Sequence, residues 1–388
     1  MFILLFWASV LFILYTYFGY PVLIRQKANK KQKHTSVPAY TEVPDEEWPT
    51  VSIVVPVHNE AHHVERKINN LREIDYPKDK LTITFVSDGS EDGTNELIKQ
   101  FPDVSFIEYH PRQGKPTALN TAAEQQTSEV IVFTDARQTL GLDAVKKLVN
   151  RLRDPAIGAV SGELCFGSPD DVTAQNVGLY WKYEKAIRNW EGQVHSVAGV
   201  TGALYAIRRE DFVPLYPDAL LDDFEVPIQI LRKGKRIVFE AGAFVYDQAQ
   251  SDVATEKKRK IRTLTGNYQS FNHNKWLFTS ENPILWQFLS HKVFRLLVPY
   301  AMIIAFITNL ILAAGYSVEG AGLVFYSLTY LAQVAFYGLG FAASKYPRLQ
   351  QSKIPNLAAV FIKLNWAAVQ GYIEYRQKRI SVRWEKTS

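Results

Sequence analysis

A doubly wound, mostly parallel α/β sheet tied to a bilayer by apolar helices at both ends is the fold the sequence predicts. Three observations predict it. Short continuous apolar runs alternate with helical patterns from residue 50 to residue 135, as buried parallel strands joined by crossover helices do. The run Val130-Ile131-Val132-Phe133 leads through Thr134 straight into Asp135, and open α/β sheets place their ligands outside the carboxyl ends of such strands. Uncharged stretches long enough to span about 30 Å of hydrocarbon occur near both ends of the 388 residues.

Residues 1–24 carry no charge and are rich in Phe, Leu, Ile, Trp and Tyr. A cleaved signal peptide needs positive charge ahead of a shorter apolar core, so the stretch reads as an anchor. Arg25, Lys27, Lys30, Lys31 and Lys33 follow, and the positive-inside rule places them in the cytoplasm. Residues 25–49 form a basic linker that ends in Pro38, Pro44 and Pro49 around the acidic run Asp45-Glu46-Glu47. A soluble domain over 50–280 then opens with the strand at 51–56 and the polar turn Val57-His58-Asn59-Glu60, followed by a helix over 61–73. Further strands are expected at 81–86, 104–109 and 130–134, with Gly114-Lys115 opening a helix. Beyond Asp135, strands at 156–164 and 202–208 flank a helical aromatic stretch around Trp181. Leu221-Asp222-Asp223 starts the next helix, and 236–240 is a late strand.

The last third changes character. Residues 281–297 place Leu285, Phe288, Leu289, Val293 and Leu296 on one side, with Gln287, His291 and Arg295 on the other. That pattern predicts an amphipathic helix lying in the interface. In the remaining region, 298–388, the stretches 298–315 and 321–341 are uncharged and long enough to span. Lys345, Arg348 and Lys353 on one side of 357–373, and Arg376, Lys378, Arg379 and Arg383 on the other, all belong on the cytoplasmic face. The helix between them is therefore expected to be interfacial or re-entrant.

A formal charge of +5 without a basic patch argues against nucleic acid as a partner. Cys165 is the only cysteine, so no internal disulfide forms, and its neighbours Leu164 and Phe166 make it a small buried hydrophobe. No zinc spacing, P-loop or dinucleotide fingerprint occurs. What remains is a set of acids at strand ends and helix starts: Asn59-Glu60, Asp88, Asp135 and Asp222-Asp223. Such a rim repels anions unless a divalent cation sits there, and Mg²⁺ typically uses one or two carboxylates plus substrate phosphates. Lys115, at a helix N-terminus, adds the field a diphosphate needs.

The ordered motifs VPVHNE, SDGSEDGT, GKPTALN, FTDAR, TGALYAIRRE, LDDFEVPIQI and KRKIRTLTGN resemble family 2 glycosyltransferases, most of all the bacterial cellulose-synthase-like, membrane-anchored subgroup. The resemblance covers about 50–280 and implies a GT-A-like fold and an inverting hexosyltransferase. It implies that Val57, Asn59, Glu60 and Asp88 hold the uridine of a UDP-sugar, that Lys115 faces the diphosphate, and that Asp135 touches donor and metal (Mg²⁺ or Mn²⁺). Thr201, Gly202 and Ala203, with Trp181, are expected at the acceptor. The resemblance implies Asp223 as the general base, with Asp222 as its rival, which could instead cap its helix. Arg259 and Arg262 match the Gln and Arg positions of Q-x-x-R-W, over the diphosphate. Two departures stand out: Arg137 replaces the second acid of D-x-D, and Arg259-Lys260-Ile261-Arg262-Thr263 lacks both Gln and Trp.

These expectations add up to a multi-pass enzyme of a bacterial inner membrane with its catalytic domain in the cytosol. It would form a β-linkage on a lipid-linked or growing glycan acceptor, contact membrane lipid, and pair with a second copy or an export partner. The alternatives are a processive synthase of the cellulose, poly-N-acetylglucosamine or hyaluronan type, and a non-catalytic membrane scaffold.

Overall fold

A computed structural model describes residues 1–32, 43–167, 179–248 and 253–379. Lys33 and Pro38 of the expected linker and Arg383 of the basic tail lie outside the described residues. The chain forms two compact units. One holds Ile24–Thr255 with Gln269–Leu285; the other holds Met1–Leu23, Glu256–Tyr268 and Trp286–Arg379.

The first unit is built on eight strands: β1 (Val51–Val57), β2 (Leu81–Asp88), β3 (Ser105–Tyr109), β4 (Val130–Thr134), β5 (Thr139–Leu140), β6 (Ile157–Phe166), β7 (Leu204–Arg208) and β8 (Arg236–Asp247). Their order in the sheet is β3-β2-β1-β4-β7-β6-β8-β5. β1 is parallel to β2 and to β4, and β2 is parallel to β3, so the carboxyl ends of four strands share one edge. β7 runs antiparallel between β4 and β6, with Thr134 opposite Leu204. Every residue of β1 and β4 is buried, which is why both read as unbroken apolar runs. The helix Ala61–Arg72 packs Val64, Ile68 and Leu71 into the same core as Ile53, Val55 and Val132. Sequence pattern did not reveal β5, whose two residues are too short to show a period, and it stopped β8 early. Both belong to the far sheet edge, where β5 pairs β8.

Among the described residues three helices, lying mostly in the second unit, are long and apolar enough to cross a membrane: Phe2–Lys31, Leu285–Ala313 and Gly320–Lys345. The helix Lys353–Gln377 is not among them. The first helix does not stop at residue 24: it runs through a π-turn, Tyr15–Gly19, and on to Gln32, so Arg25 to Lys31 extend the anchor rather than begin a linker. Pro21 follows the π-turn without ending the helix, and Lys30 and Lys31 in its last turn suit the negative end of the helix dipole.

A second boundary also differs. Backbone helix continues from Leu285 through a π-turn, Leu289–Val293, into Phe294–Ala313, so no flat helix ends at residue 297. Gln287 and His291, expected on the outward polar face, are buried along with Phe288. The reason is the aromatic surface of the first helix: the Tyr20 ring lies 5.1 Å from Trp286 and 6.1 Å from His291. Tyr15 accepts from Trp286 Nε1 at 2.9 Å and shares a 2.9 Å bond with Ser290.

Candidate functional site

The parallel edge gathers the loops that follow β1, β2, β3 and β4. The turn after β1 carries Asn59, held at φ 56° by two bonds: its N–H donates to Ser90 Oγ at 3.1 Å, and its Oδ1 accepts from Glu91 N–H at 2.8 Å. The Glu60 N–H donates to Thr94 Oγ1 at 2.9 Å. The turns after β1 and β2 are thus a single hydrogen-bonded unit.

Asp88, at the end of β2, has 0% exposure, and its carboxylate faces the chain itself. It accepts from Gln113 N–H at 2.6 Å and Gly114 N–H at 2.8 Å. Gly114 sits at φ 104°, a conformation that favours glycine, and this turn starts the helix Lys115–Gln125. Asp88 therefore builds the loop that presents Lys115.

Lys115 is the centre of the site. Its Nζ lies 2.9 Å from Asp135 Oδ1 and 3.2 Å from Asp222 Oδ2. Burial alone lowers its pKa, but Asp135, Asp222 and then Asp223 outweigh it and raise the lysine above its ordinary range. Asp222 is the first residue of its helix, not its cap; the cap position is Leu221.

Asp223 stands against Thr201-Gly202. A Cβ added to Gly202 would stand 3.2 Å from Asp223 Oδ2, and the Asp223 carbonyl accepts from Val200 N–H at 2.9 Å. Thr201 is itself fixed: its N–H donates to Ser161 Oγ at 2.9 Å and its Oγ1 accepts from Arg188 at 2.9 Å. Ala203 is buried, and Trp181 is 40% exposed with its ring edge-on to Phe166 at 5.3 Å.

Lys115, Asp135, Asp222, Asp223, Thr201 and Gly202 are therefore brought together. Arg259 and Arg262 lie on the helix Val253–His273, in its Glu256–Tyr268 stretch, and belong to the other unit.

Four participants escaped sequence reasoning. Tyr205 is fully buried on β7 against Phe133, 5.0 Å between ring centres. Its hydroxyl, which has no hydrogen-bond partner among the described residues, is pushed up by burial and by Asp222, Asp223 and Asp135. Arg188 lies under Thr201, its pKa lowered by burial, and its guanidinium packs 5.4 Å from the Phe239 ring. Asp247, buried at the end of β8, takes Arg137 at 2.5 Å. Lys67 is 1% exposed and donates to Thr134 Oγ1 and the Gln138 carbonyl. Only Lys67 left a signal in the sequence, a charge three residues after Val64 on the apolar stripe of its helix.

Asp135 and Asp222 converge on one ammonium, and hard carboxylate oxygens of this kind fit Mg²⁺ or Mn²⁺. Arg137 supplies no second ligand, because a guanidinium has donors only; its side chain pairs with Asp247. Elsewhere among the described residues, Glu60, His62 and His63 bring ligand atoms within 4.8 Å of one another. That cluster is a poor cation site. Burial, then His62, Arg66 and Arg137, lower the His63 pKa to about 4, so the surroundings repel positive charge.

The sequence profile described as Glycosyl transferase family 2 matches residues 52–212, from β1 through β7. Residues 52–212 are a family 2 glycosyltransferase domain. The chain is similar to a probable glycosyltransferase, YdaM, of Bacillus subtilis, 27% identical over 57% of this chain and 56% of that protein. It is also similar to the poly-beta-1,6-N-acetyl-D-glucosamine synthase of Staphylococcus aureus, 23% identical over 65% of this chain and 61% of that one. The chain thus spans little more than half the length of these curated relatives. The glycosyltransferase domain and its helices share their fold with the mannosyltransferase PcManGT from Pyrobaculum calidifontis, solved with GDP-Man and Mn²⁺. The TM-score is 0.71 at 23% identity, covering 97% of this chain and all of the other.

Proposed function

We propose that the chain is an inverting membrane glycosyltransferase. It transfers a sugar from a uridine-diphosphate donor to a lipid-linked or growing glycan acceptor at the cytosolic face of a bacterial inner membrane. One observation carries the reading: at one sheet edge Lys115 is paired with Asp135 and Asp222, while the adjacent Asp223 stands against Thr201-Gly202. Displacing a nucleoside diphosphate from an anomeric carbon needs such a division, with positive charge at the leaving group and a base at the incoming hydroxyl.

The acceptor hydroxyl gives its proton to the Asp223 carboxylate as its oxygen bonds to the anomeric carbon. The bond from that carbon to the donor phosphate breaks, and the diphosphate leaves toward Lys115. One displacement inverts the centre, so an α-linked donor yields a β-linked product. A divalent cation, held by Asp135 with Asp222, would neutralise part of the diphosphate charge. The Mn²⁺ and GDP-Man in the Pyrobaculum neighbour support a metal-assisted nucleotide-sugar donor. The three apolar helices support a membrane setting.

Asp223→Asn tests this. It keeps the shape and removes the proton acceptor, so kcat is expected to fall at least about a hundredfold while UDP affinity is kept. Normal turnover in that variant would move the base to Asp222 or remove base catalysis. The Staphylococcus relative favours a second reading, processive polymer synthesis, which product-length analysis with a limiting primer separates from single addition.

A further inference from the structure

Lys67 stands out on two counts. It is among the largest fully buried side chains, and its surroundings are the underside of the turn that carries Asp135. Burying an ammonium is costly unless its hydrogen bonds are made, and an apolar side chain of similar volume would fill the space at lower cost. Here burial lowers the lysine pKa to about 7, with Asp135 opposing the shift and Arg66 adding to it.

The contacts show what the ammonium does there. It donates to Thr134 Oγ1 at 3.0 Å and to the Gln138 carbonyl at 2.9 Å, closing the 134–138 turn from beneath. Its helix neighbours continue the pattern: Arg66 donates to the Arg137 carbonyl at 2.5 Å, and Asn70 both donates to and accepts from the Leu140 backbone, at 2.9 and 2.8 Å. From the opposite side, Arg137 and Gln138 both reach Asp247 Oδ2, at 2.5 and 3.1 Å. The residues around Asp135 are tied to scaffold, and the Asp135 carboxylate, 38% exposed, points to Lys115. A D-x-D turn with two acids can be ordered by the cation it binds. This turn, with Arg137 in the second position, is ordered by its own helix.

We propose that Lys67 is a positioning residue for Asp135, holding the turn so that the carboxylate meets the cation and the donor diphosphate without reorganising. The role rests on the donor-binding reading of Asp135. It goes beyond that reading by naming a residue on the far side of the turn that touches neither substrate nor cation.

The test uses the full chain in detergent, with Mn²⁺ and UDP as probes. Mn²⁺ affinity is read by electron paramagnetic resonance in the presence of UDP, and KM is measured for donor and acceptor separately. Lys67→Met is expected to weaken Mn²⁺–UDP binding and raise the donor KM by about tenfold, the size seen when partners behind a ligand are removed, with acceptor KM unchanged. Lys67→Gln, which keeps a donor, recovers part of the loss. Thr134→Val removes the acceptor rather than the lysine and is expected to weaken binding in the same direction, a check that holds even if Lys67→Met fails to fold. Wild-type Mn²⁺–UDP affinity and donor KM in the substituted proteins, whatever their Tm, would overturn the proposal. A wild type that takes no Mn²⁺–UDP would instead overturn the donor reading itself, and the role of Lys67 with it.

Discussion

Gly202 is the residue at which the site has least room. A methyl group there would sit 3.2 Å from Asp223 Oδ2 and 3.3 Å from its Cβ, closer than most real contacts, so the carboxylate would have to give by tenths of an ångström. The neighbours offer no slack, because Thr201 is held by Ser161 and Arg188. Gly202→Ala is therefore expected to lower kcat about tenfold or more, since small misplacements of a reacting group are costly. Tm should be nearly unchanged, as the added methyl lies at the site rather than in the core. A kcat within twofold of wild type would show that Asp223 does not act where it stands. At this scale the sequence is informative about polar residues beside strand ends: Asp88, Lys115, Asp135 and the Asp222-Asp223 pair were all legible as acids or a cation in unusual company. It is silent about partners. Asp247 meets Arg137 across 110 positions of chain, and Arg188 meets Thr201 through a loop; no periodicity records either pairing.

Helix packing in the second unit turns on a similar close approach. Gly371, on the helix Lys353–Gln377, lies under Leu264 and Thr265, where a Cβ would stand 2.8 Å from Leu264 Cβ and 3.1 Å from the Thr265 amide nitrogen. Thr265 Oγ1 also donates to the Gly371 carbonyl at 3.1 Å. Small residues at helix crossings of this kind let backbones approach closely enough for van der Waals contact and interhelical bonds. Gly371→Val forces the helices apart, and a thermal melt in detergent should show a lower Tm, with a loss of about 1–3 kcal/mol as for other overpacked sites. An unchanged melt would mean that this crossing carries no stability. Elements were more legible than their limits. Strands with unbroken apolar runs were placed almost to the residue, because burial on both faces leaves one pattern. Helix ends were misjudged at residues 24 and 297, because changes in composition there look like boundaries while the α-helix runs straight through them.

For the whole molecule, removing divalent cations tests how far the protein's own charges suffice. Lys115 already pairs with both Asp135 and Asp222 without a cation, so chelation is expected to leave Tm nearly unmoved while cutting transfer at least about tenfold. Full activity in excess chelator would assign diphosphate neutralisation to Lys115 and its neighbouring cations alone.

The change of strand direction at β4 has a consequence for how such a chain can vary. β4 lies parallel to β1 and antiparallel to β7, so the loops that leave the parallel strands and the loop that enters β7 meet across one seam, Thr134 opposite Leu204. Loops on either side can lengthen, shorten or exchange sequence separately, provided that one register holds. A slip of a single residue along β7 would turn Tyr205 to the opposite face of the sheet and carry Thr201-Gly202 away from Asp223. On the proposed reading, donor loops and acceptor loops can then change separately, while the Thr134–Leu204 register constrains both.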